Sequence, residues 1–473
     1  MRRLSFAFCA LAGIASSADW TRYRGDNGAG VAQLEPGAAL PLELGKETNV
    51  LWKTAVPKGH SSPIVVGGKV VLTAYQGDER ITAAYDAAKG SELWRASIAK
   101  ARSEPAHPLN GPATPTPASD GENVYVFFQE FGLVSYTLEG KERWRRPLGP
   151  FASIQGHATS PIVAGGLVVL LIDQPLESFV AAYDSGTGEE RWKAIRPNGF
   201  LGGYSTPLLH RPKDGPAQVI VGGARELTGY QLQTGERLWW GKGITAGPAA
   251  SPILDGDTIY TLEPPAEPGN EFTSMLGADK NKDGKLQIAE ELGKNLIMVR
   301  LMTAIDKMYG NSDGTVESAE WNKAFAPSEL GGGLVATRIG PRGELPAAAS
   351  LWKYTKGIPY VTSALLEQGV LYFVKNGGIL TAIDAATGKV IKQGRLKEAT
   401  GEFYASPVAA GGYLYFADKD GKLAVVKAGR DWEVISTGDL EEQLIATPAI
   451  AGGRLFVRTE ESLYCFAARS KSQ

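Results

Sequence analysis

One pattern recurs along this 473-residue chain at a nearly fixed interval, and it restricts the fold more than any other feature. A Ser/Thr-Pro pair is followed within a few residues by Gly-Gly or Asp-Gly and then by a β-branched run. It occurs at Ser62-Pro63, Thr116-Pro117, Ser160-Pro161, Thr206-Pro207, Ser251-Pro252, Ser406-Pro407 and Thr447-Pro448, with a weaker copy at Ser363-Ala364. A second pattern, an apolar strand, a Thr-Gly type turn and then Trp, interleaves with the first. Trp94, Trp144, Trp192 and Trp239 are 50, 48 and 47 residues apart, and Trp352 follows after 113. Each period holds four short β-patterned runs separated by turn residues, as in residues 61–95. Four strands per ~45 residues predicts a propeller blade, and a propeller is the solution for repeats that cannot bury their faces alone.

Eight repeat starts predict eight blades. The last, from Thr447, has only three strand-like runs, whereas Asn49–Thr54 reads as a terminal strand with no blade of its own. The fold expected is therefore an all-β, eight-bladed β-propeller closed by its N-terminal strand, which leaves no open edge between first and last blades. Two stacked sandwiches explain neither the fixed period nor the unpaired runs at each end.

The first residues read differently. Arg2 and Arg3 precede an apolar run, Leu4–Ile14, too short to span a bilayer, and Ser16 and Ala18 are small residues suited to cleavage after Ala18. A signal peptide over 1–18 is expected, and with it a periplasmic or secreted location. Its removal takes the formal charge from −2 to −4 and leaves Cys465 as the one cysteine, so no internal disulfide is expected. No later stretch reaches ~18 apolar residues, so the protein is not expected to be integral to the membrane. The near-neutral charge argues against nucleic acid as a partner. A monomer is expected.

Asp384-Ala-Ala-Thr-Gly388 and Asp184-Ser-Gly-Thr-Gly-Glu-Glu-Arg-Trp192 resemble the repeats of the PQQ-like eight-bladed propellers. That family includes quinoprotein alcohol dehydrogenases and the BamB lipoprotein, which helps assemble outer-membrane barrels. The opening Trp20-Thr-Arg-Tyr-Arg24-Gly25-Asp26-Asn27-Gly28 is similar to a start common in bacterial members. The resemblance covers about 49–467 apart from an insert, and implies that Trp94, Trp144, Trp192, Trp239 and Trp352 pack between neighbouring blades.

Residues 270–330 break the blade pattern and turn helical. The run Asp279-Lys-Asn281-Lys-Asp283-Gly284-Lys285-Leu286-Gln287-Ile288-Ala289-Glu290 fits a 12-residue EF-hand loop. A hard cation such as calcium takes six to eight oxygens. Asp279, Asn281 and Asp283 would supply side-chain oxygens, Lys285 its carbonyl, Gln287 a direct or water-mediated contact, and Glu290 both carboxylate oxygens. A second loop carries Asn311, Asp313, Gly314, Thr315, Glu317 and Glu320 in matching places, but its first position is Tyr309, which offers no carboxylate. Asp306 would substitute only in a longer loop. Leu286 and Val316 both fall where paired hands share a short β contact. Structural calcium is expected, in an EF-hand insertion that replaces the loop between the second and third strands of blade five. The organisation expected is thus leader 1–18, arm 19–48, propeller 49–269 and 331–467, insertion 270–330 and tail 468–473.

That loop shares a face with the connections between blades. His60, His157, Tyr204, Tyr360 and Tyr404 precede repeat starts and are candidate funnel residues for a small polar or aromatic ligand; simple hydrogen-bonded capping of strand ends is the alternative. Two functions follow from the resemblance. One is an exported calcium-binding scaffold that presents its loop face to a protein or glycan. The other is a PQQ-dependent dehydrogenase of an alcohol or sugar, with PQQ beside calcium in the propeller centre. The adjacent cysteines of most alcohol-oxidising members cannot exist here, and no segment matches the family's calcium-binding Glu, Asn and Asp. No nucleophile-elbow, zincin or P-loop pattern is present. Scaffold is the favoured expectation, with no catalytic residues assigned.

Overall fold

The computed structural model describes residues 19–468 except 105, 154, 176, 243–246, 265–271, 292–294, 326–331 and 341. The expected signal peptide, the tail beyond 468 and the outer ends of the insertion lie outside the described residues. Among them, no helix is long and apolar enough to cross a membrane.

Eight four-stranded antiparallel units follow one another in chain order. Blade one is Ile64–Val66, Lys69–Gln76, Glu79–Asp86 and Glu92–Ala99. The second and third strands are buried almost throughout, as in Leu167–Ile172 of blade three, because both of their faces pack on neighbouring blades. Fourth strands alternate exposed and half-buried residues, as expected of an outer edge. Blade eight takes Ala449–Ala451, Arg454–Arg458 and Ser462–Ala467 from the end of the chain and Val50–Ala55 from its beginning. Val50 pairs with Phe466 and Ala55 with Ser462, so the N-terminal strand closes the ring.

The Ser/Thr of each repeat start explains its own recurrence. The amide of Ser62 donates to the Thr116 hydroxyl, Thr116 to Ser160, Ser160 to Thr206, Thr206 to Ser251, Ser251 to Ser363, Ser363 to Ser406, Ser406 to Thr447, and Thr447 back to Ser62. All eight bonds are 2.9–3.2 Å long, and all eight residues are buried. A hydroxyl on the inner strand of each blade thus satisfies the amide opening the blade before it, at the point where no ladder bond is available.

The tryptophans join the blades farther out. The indole N–H groups of Trp52, Trp94, Trp144, Trp192 and Trp352 donate to carbonyls of the next blade, at Ala87, Leu138, Ser185, Leu232 and Ala385. Each ring lies flat on a turn glycine of that blade: a Cβ at Gly90, Gly140, Gly188, Gly235 or Gly388 would come within 2.5–2.6 Å of it. Trp239 shares a buried cluster with Ile259 of blade five but differs from the others in its bond. Its N–H donates to Gln218 of its own blade, at 2.7 Å, and the ring is fully buried there. Blade five has no Thr-Gly turn to receive it; Gly343–Glu344 instead lies parallel along the outer edge of blade four, pairing with Trp239 and Trp240.

Residues 19–32 run inside the ring. Trp20 pairs with Val65 of blade one, and the Thr21 carbonyl accepts from Ser119 of blade two. Arg22 Nη2 donates to Pro207 O (2.6 Å), and Asn27 exchanges two bonds with Leu209, both in blade four. Arg24 Nη2 donates to Ala364 O of blade six at 2.6 Å, and Tyr23 meets the Ser406 hydroxyl of blade seven. Val31–Ala32 then adds parallel to Ala409–Ala410. A segment bonded to the inner strands of five blades fills the central channel. Its pairing near the ends of the first strands of blades one and two places its entry on the face opposite the blade-to-blade connections.

A candidate site on the connection face and its helical insertion

The connection face is held by ion pairs at the turns between second and third strands. Arg80 Nε donates to Glu130 at 2.6 Å, tying blade one to blade two. Arg196 donates to Asp173 at 2.8 Å and to the Tyr230 hydroxyl at 3.0 Å, tying blades three and four. Arg102 pairs with Glu104. Among the described residues Arg458 has no carboxylate partner. It donates to the carbonyls of Ser61, Thr73 and Pro57 and to the Ser61 hydroxyl, and burial pulls its guanidinium down to about 9. These cations are committed to the wall.

The expected funnel residues are dispersed around that wall. His157 is 1% exposed. Its ring stands edge-on to Phe151 (5.2 Å) and Phe127 (6.4 Å), and burial pushes the imidazole down to about 4 against a weaker opposing contact with Gln174. Burial, with Arg458 nearby, also brings His60 to about 4. Tyr204 is half-buried, and its phenol is raised by burial beside Ser153 and Tyr360. Tyr360 is 70% exposed. Tyr404 lies under the Lys419 ammonium, 5.9 Å from the ring centre. The two histidines are therefore part of the wall's packing, whereas Tyr204 and Tyr404 are half-buried and Tyr360 is exposed.

The described insertion runs from the short helical segment Phe272–Ala278 to the helix Ser318–Phe325, between strands Thr258–Glu263 and Gly333–Arg338 of blade five. Its two loops are built alike. Asp279 accepts from the amides of Lys282 (2.6 Å) and Gly284 (2.8 Å). Asp283 accepts from Lys285 N, and the Asn281 side chain bonds Asp283. In the second loop Asn311, Asp313 and the Thr315 amide repeat this arrangement. Asp306 accepts from Ser312 N (2.8 Å) and Gly314 N (2.9 Å), the place Asp279 holds in the first loop. Lys282 and Ser312 have φ of +60° and +62°, Gly284 and Gly314 +80° and +84°. Leu286 pairs with Val316, and Lys285 reaches Glu317 at 2.5 Å. Glu320 accepts from Glu317 N and leaves no room for a side chain on Gly310.

Counting residues places Tyr309 first in the second loop; the structure places Asp306 there. The helix Leu296–Tyr309 continues for three residues beyond Asp306 and carries Tyr309 out of the loop. The donors are carboxylate, amide and carbonyl oxygens, the set a hard cation takes. Among the described residues no three acidic, His or Cys side chains already converge, since the carboxylates are turned onto their own loop amides. The Glu290 side chain lies outside the described residues.

The insertion's core of Phe272, Leu286, Met302, Ile305, Val316 and Trp321 also takes in Phe200, from the connection between blades three and four. Arg225, from blade four, donates to the Ala324 carbonyl and lies over Tyr309. Neither residue carries a motif that reading the sequence singles out.

The buried arginines of this face, Arg80, Arg196 and Arg458, are engaged with carboxylates and carbonyls. Cys465, the one cysteine among the described residues, is fully buried in blade eight with its thiol pushed up to about 12.

Residues 43–239 and 347–473, more than half of the chain, match the family model described as outer membrane protein assembly factor BamB. Comparison with curated proteins gave no match. Among solved structures, BamB from Moraxella catarrhalis superposes with a TM-score of 0.53 at 12% identity, covering 89% of this chain and 99% of that one. A europium-containing methanol dehydrogenase gives 0.60 at 11%, covering 95% and 98%. The quinohemoprotein alcohol dehydrogenase of Comamonas testosteroni gives 0.57 at 13%, covering 98% and 83%. At such identities the likeness is one of fold.

Proposed function

The chain belongs to the family of outer membrane protein assembly factor BamB, and from that premise we propose that it is an exported, calcium-binding scaffold that engages a protein or glycan through its connection face. The observation that carries this reading is the difference between the two faces. The N-terminal arm fills the channel from one side, and the long connections and the insertion build up the other. Such a face offers area and shape rather than a reactive group.

In this reading calcium is held by Asp279, Asn281, Asp283, the Lys285 carbonyl, Gln287 and Glu290, and by Asp306, Asn311, Asp313, the Thr315 carbonyl, Glu317 and Glu320. It stiffens the insertion, and affinities of ~10⁻⁴–10⁻³ M suit an extracytoplasmic module. Location in the periplasm or outside the cell belongs to the same proposal.

The test is to mix the mature protein with PQQ and excess calcium, desalt it and record the absorption spectrum. We expect no retained quinone. Stoichiometric retention would overturn the scaffold reading in favour of a dehydrogenase. Calorimetry on Asp279→Ala/Glu290→Ala should lose one calcium site with the β circular-dichroism signal intact; unchanged binding would overturn the ligand assignment.

A further inference from the structure

The second loop carries three more residues than the first between its first carboxylate and the following Asn: four separate Asp306 from Asn311, where one separates Asp279 from Asn281. In the first loop Asp279 directly follows the segment Phe272–Ala278. In the second, the helix runs on through Lys307, Met308 and Tyr309. The longer helix lengthens the loop while the amide bonds to its first carboxylate are kept.

What it reaches is the propeller. The Tyr309 ring lies 6.2 Å from that of Phe200 and 6.0 Å from the Arg225 guanidinium. Phe200 is 2% exposed and sits in the helical turn Pro197–Leu201. That turn is fastened on both sides. Arg196 before it is locked to Asp173, and after it the amide of Tyr204 donates to Pro248 O at 2.8 Å. Only Leu201, Gly202 and Gly203 separate Phe200 from Tyr204 of the funnel wall.

We propose that cation loading of the second loop is coupled to the funnel wall through the Tyr309–Phe200 contact. The inference rests on the calcium reading above. A cation drawing Asp306 toward Asn311, Asp313 and Glu320 fixes the end of the helix that carries Tyr309. Fixing Tyr309 fixes Phe200, and with it the short connection to Tyr204. Coupling of this kind is reciprocal, so whatever loosens the propeller side must weaken cation binding by the same factor.

The experiment combines calcium titration by calorimetry with amide hydrogen exchange over residues 197–204 of the full mature chain. In the wild type, calcium should raise protection of 197–204. Phe200→Ala should weaken the site at 306–320 by about fivefold or more, within the usual range of coupling, and leave that at 279–290 unchanged. Tyr309→Ala should do the same from the insertion side, and a cooperative melt with the wild-type β signal certifies the fold of each. Asp306→Asn should abolish both the second site and the calcium-dependent protection. Two bound calcium ions with wild-type affinities in Phe200→Ala and Tyr309→Ala, or protection at 197–204 indifferent to calcium, would overturn the coupling alone. A wild type that binds no calcium would overturn the calcium reading and the coupling together.

Discussion

The amide of Thr447 donates to the hydroxyl of Ser62 at 3.0 Å, across the seam where the end of the chain meets its beginning. It is the closing member of eight equivalent bonds, and it spans 385 residues. Ser62→Ala leaves the buried Thr447 amide without an acceptor and should cost about 1–3 kcal/mol. Urea unfolding should give a lower midpoint with an unchanged slope. Ser62→Thr, which keeps the hydroxyl and already occurs at equivalent positions, should restore it.

Gly188 has a φ of +75°, and its Cα lies under the Trp144 ring. Gly188→Ala combines backbone strain with a clash of a Cβ 2.6 Å from the indole, so it should destabilise by more than the ~1 kcal/mol of an ordinary substitution. Trp144→Ala should cost about 3–5 kcal/mol through the cavity and the lost bond to Ser185. Thermal melts of the two variants and of their double mutant check this. The double should be less than additive, because the clash disappears with the ring.

Trp20 is 2% exposed within the channel although it belongs to no blade. Trp20→Ala should cost about 3–5 kcal/mol while leaving the far-ultraviolet β spectrum in place. Limited proteolysis should then cut within 19–32, where the wild type should resist it.

Acid should weaken the fold through His157. Its native imidazole binds a proton only below about 4, against 6.5 for the unfolded chain. Between those values the unfolded state holds more protons, so stability falls as pH falls through that window, by on the order of 3 kcal/mol in full. His60 acts in the same direction. His157→Leu should flatten the dependence of the urea midpoint on pH between 6.5 and 4; an unaltered slope would remove His157 from the account.

The blades were legible because their boundaries are chemical. Ser/Thr-Pro opens a blade, Gly-Gly turns its first strand, and Thr-Gly precedes its tryptophan. Closure followed from Asn49–Thr54 lacking neighbours of its own. The arm was not legible, because Trp20 to Gly30 has no periodicity and its partners, from Val65 to Ala409, belong to five separate blades. Trp239 carries the same local motif as Trp192, yet its environment depends on Gly343–Glu344, over a hundred residues away. Asp306 fills the first position only in a longer loop, and spacing cannot show that lengthening, because a helix that runs on for nearly a turn moves the ligand position without changing the side chains that meet there.

The strand exchange in blade eight also sets a timetable. Val50–Ala55 leaves the ribosome early but finds its partner only in Ser462–Ala467. At about 5–20 residues per second the wait is roughly 20–80 s. Throughout that time Trp52 has no fourth-strand position to occupy, and the arm ahead of it has no finished channel to enter. The arm and the strand after it are made early and find their last partners late, so a chain cut short before residue 462 leaves Val50–Ala55 without its partner strand.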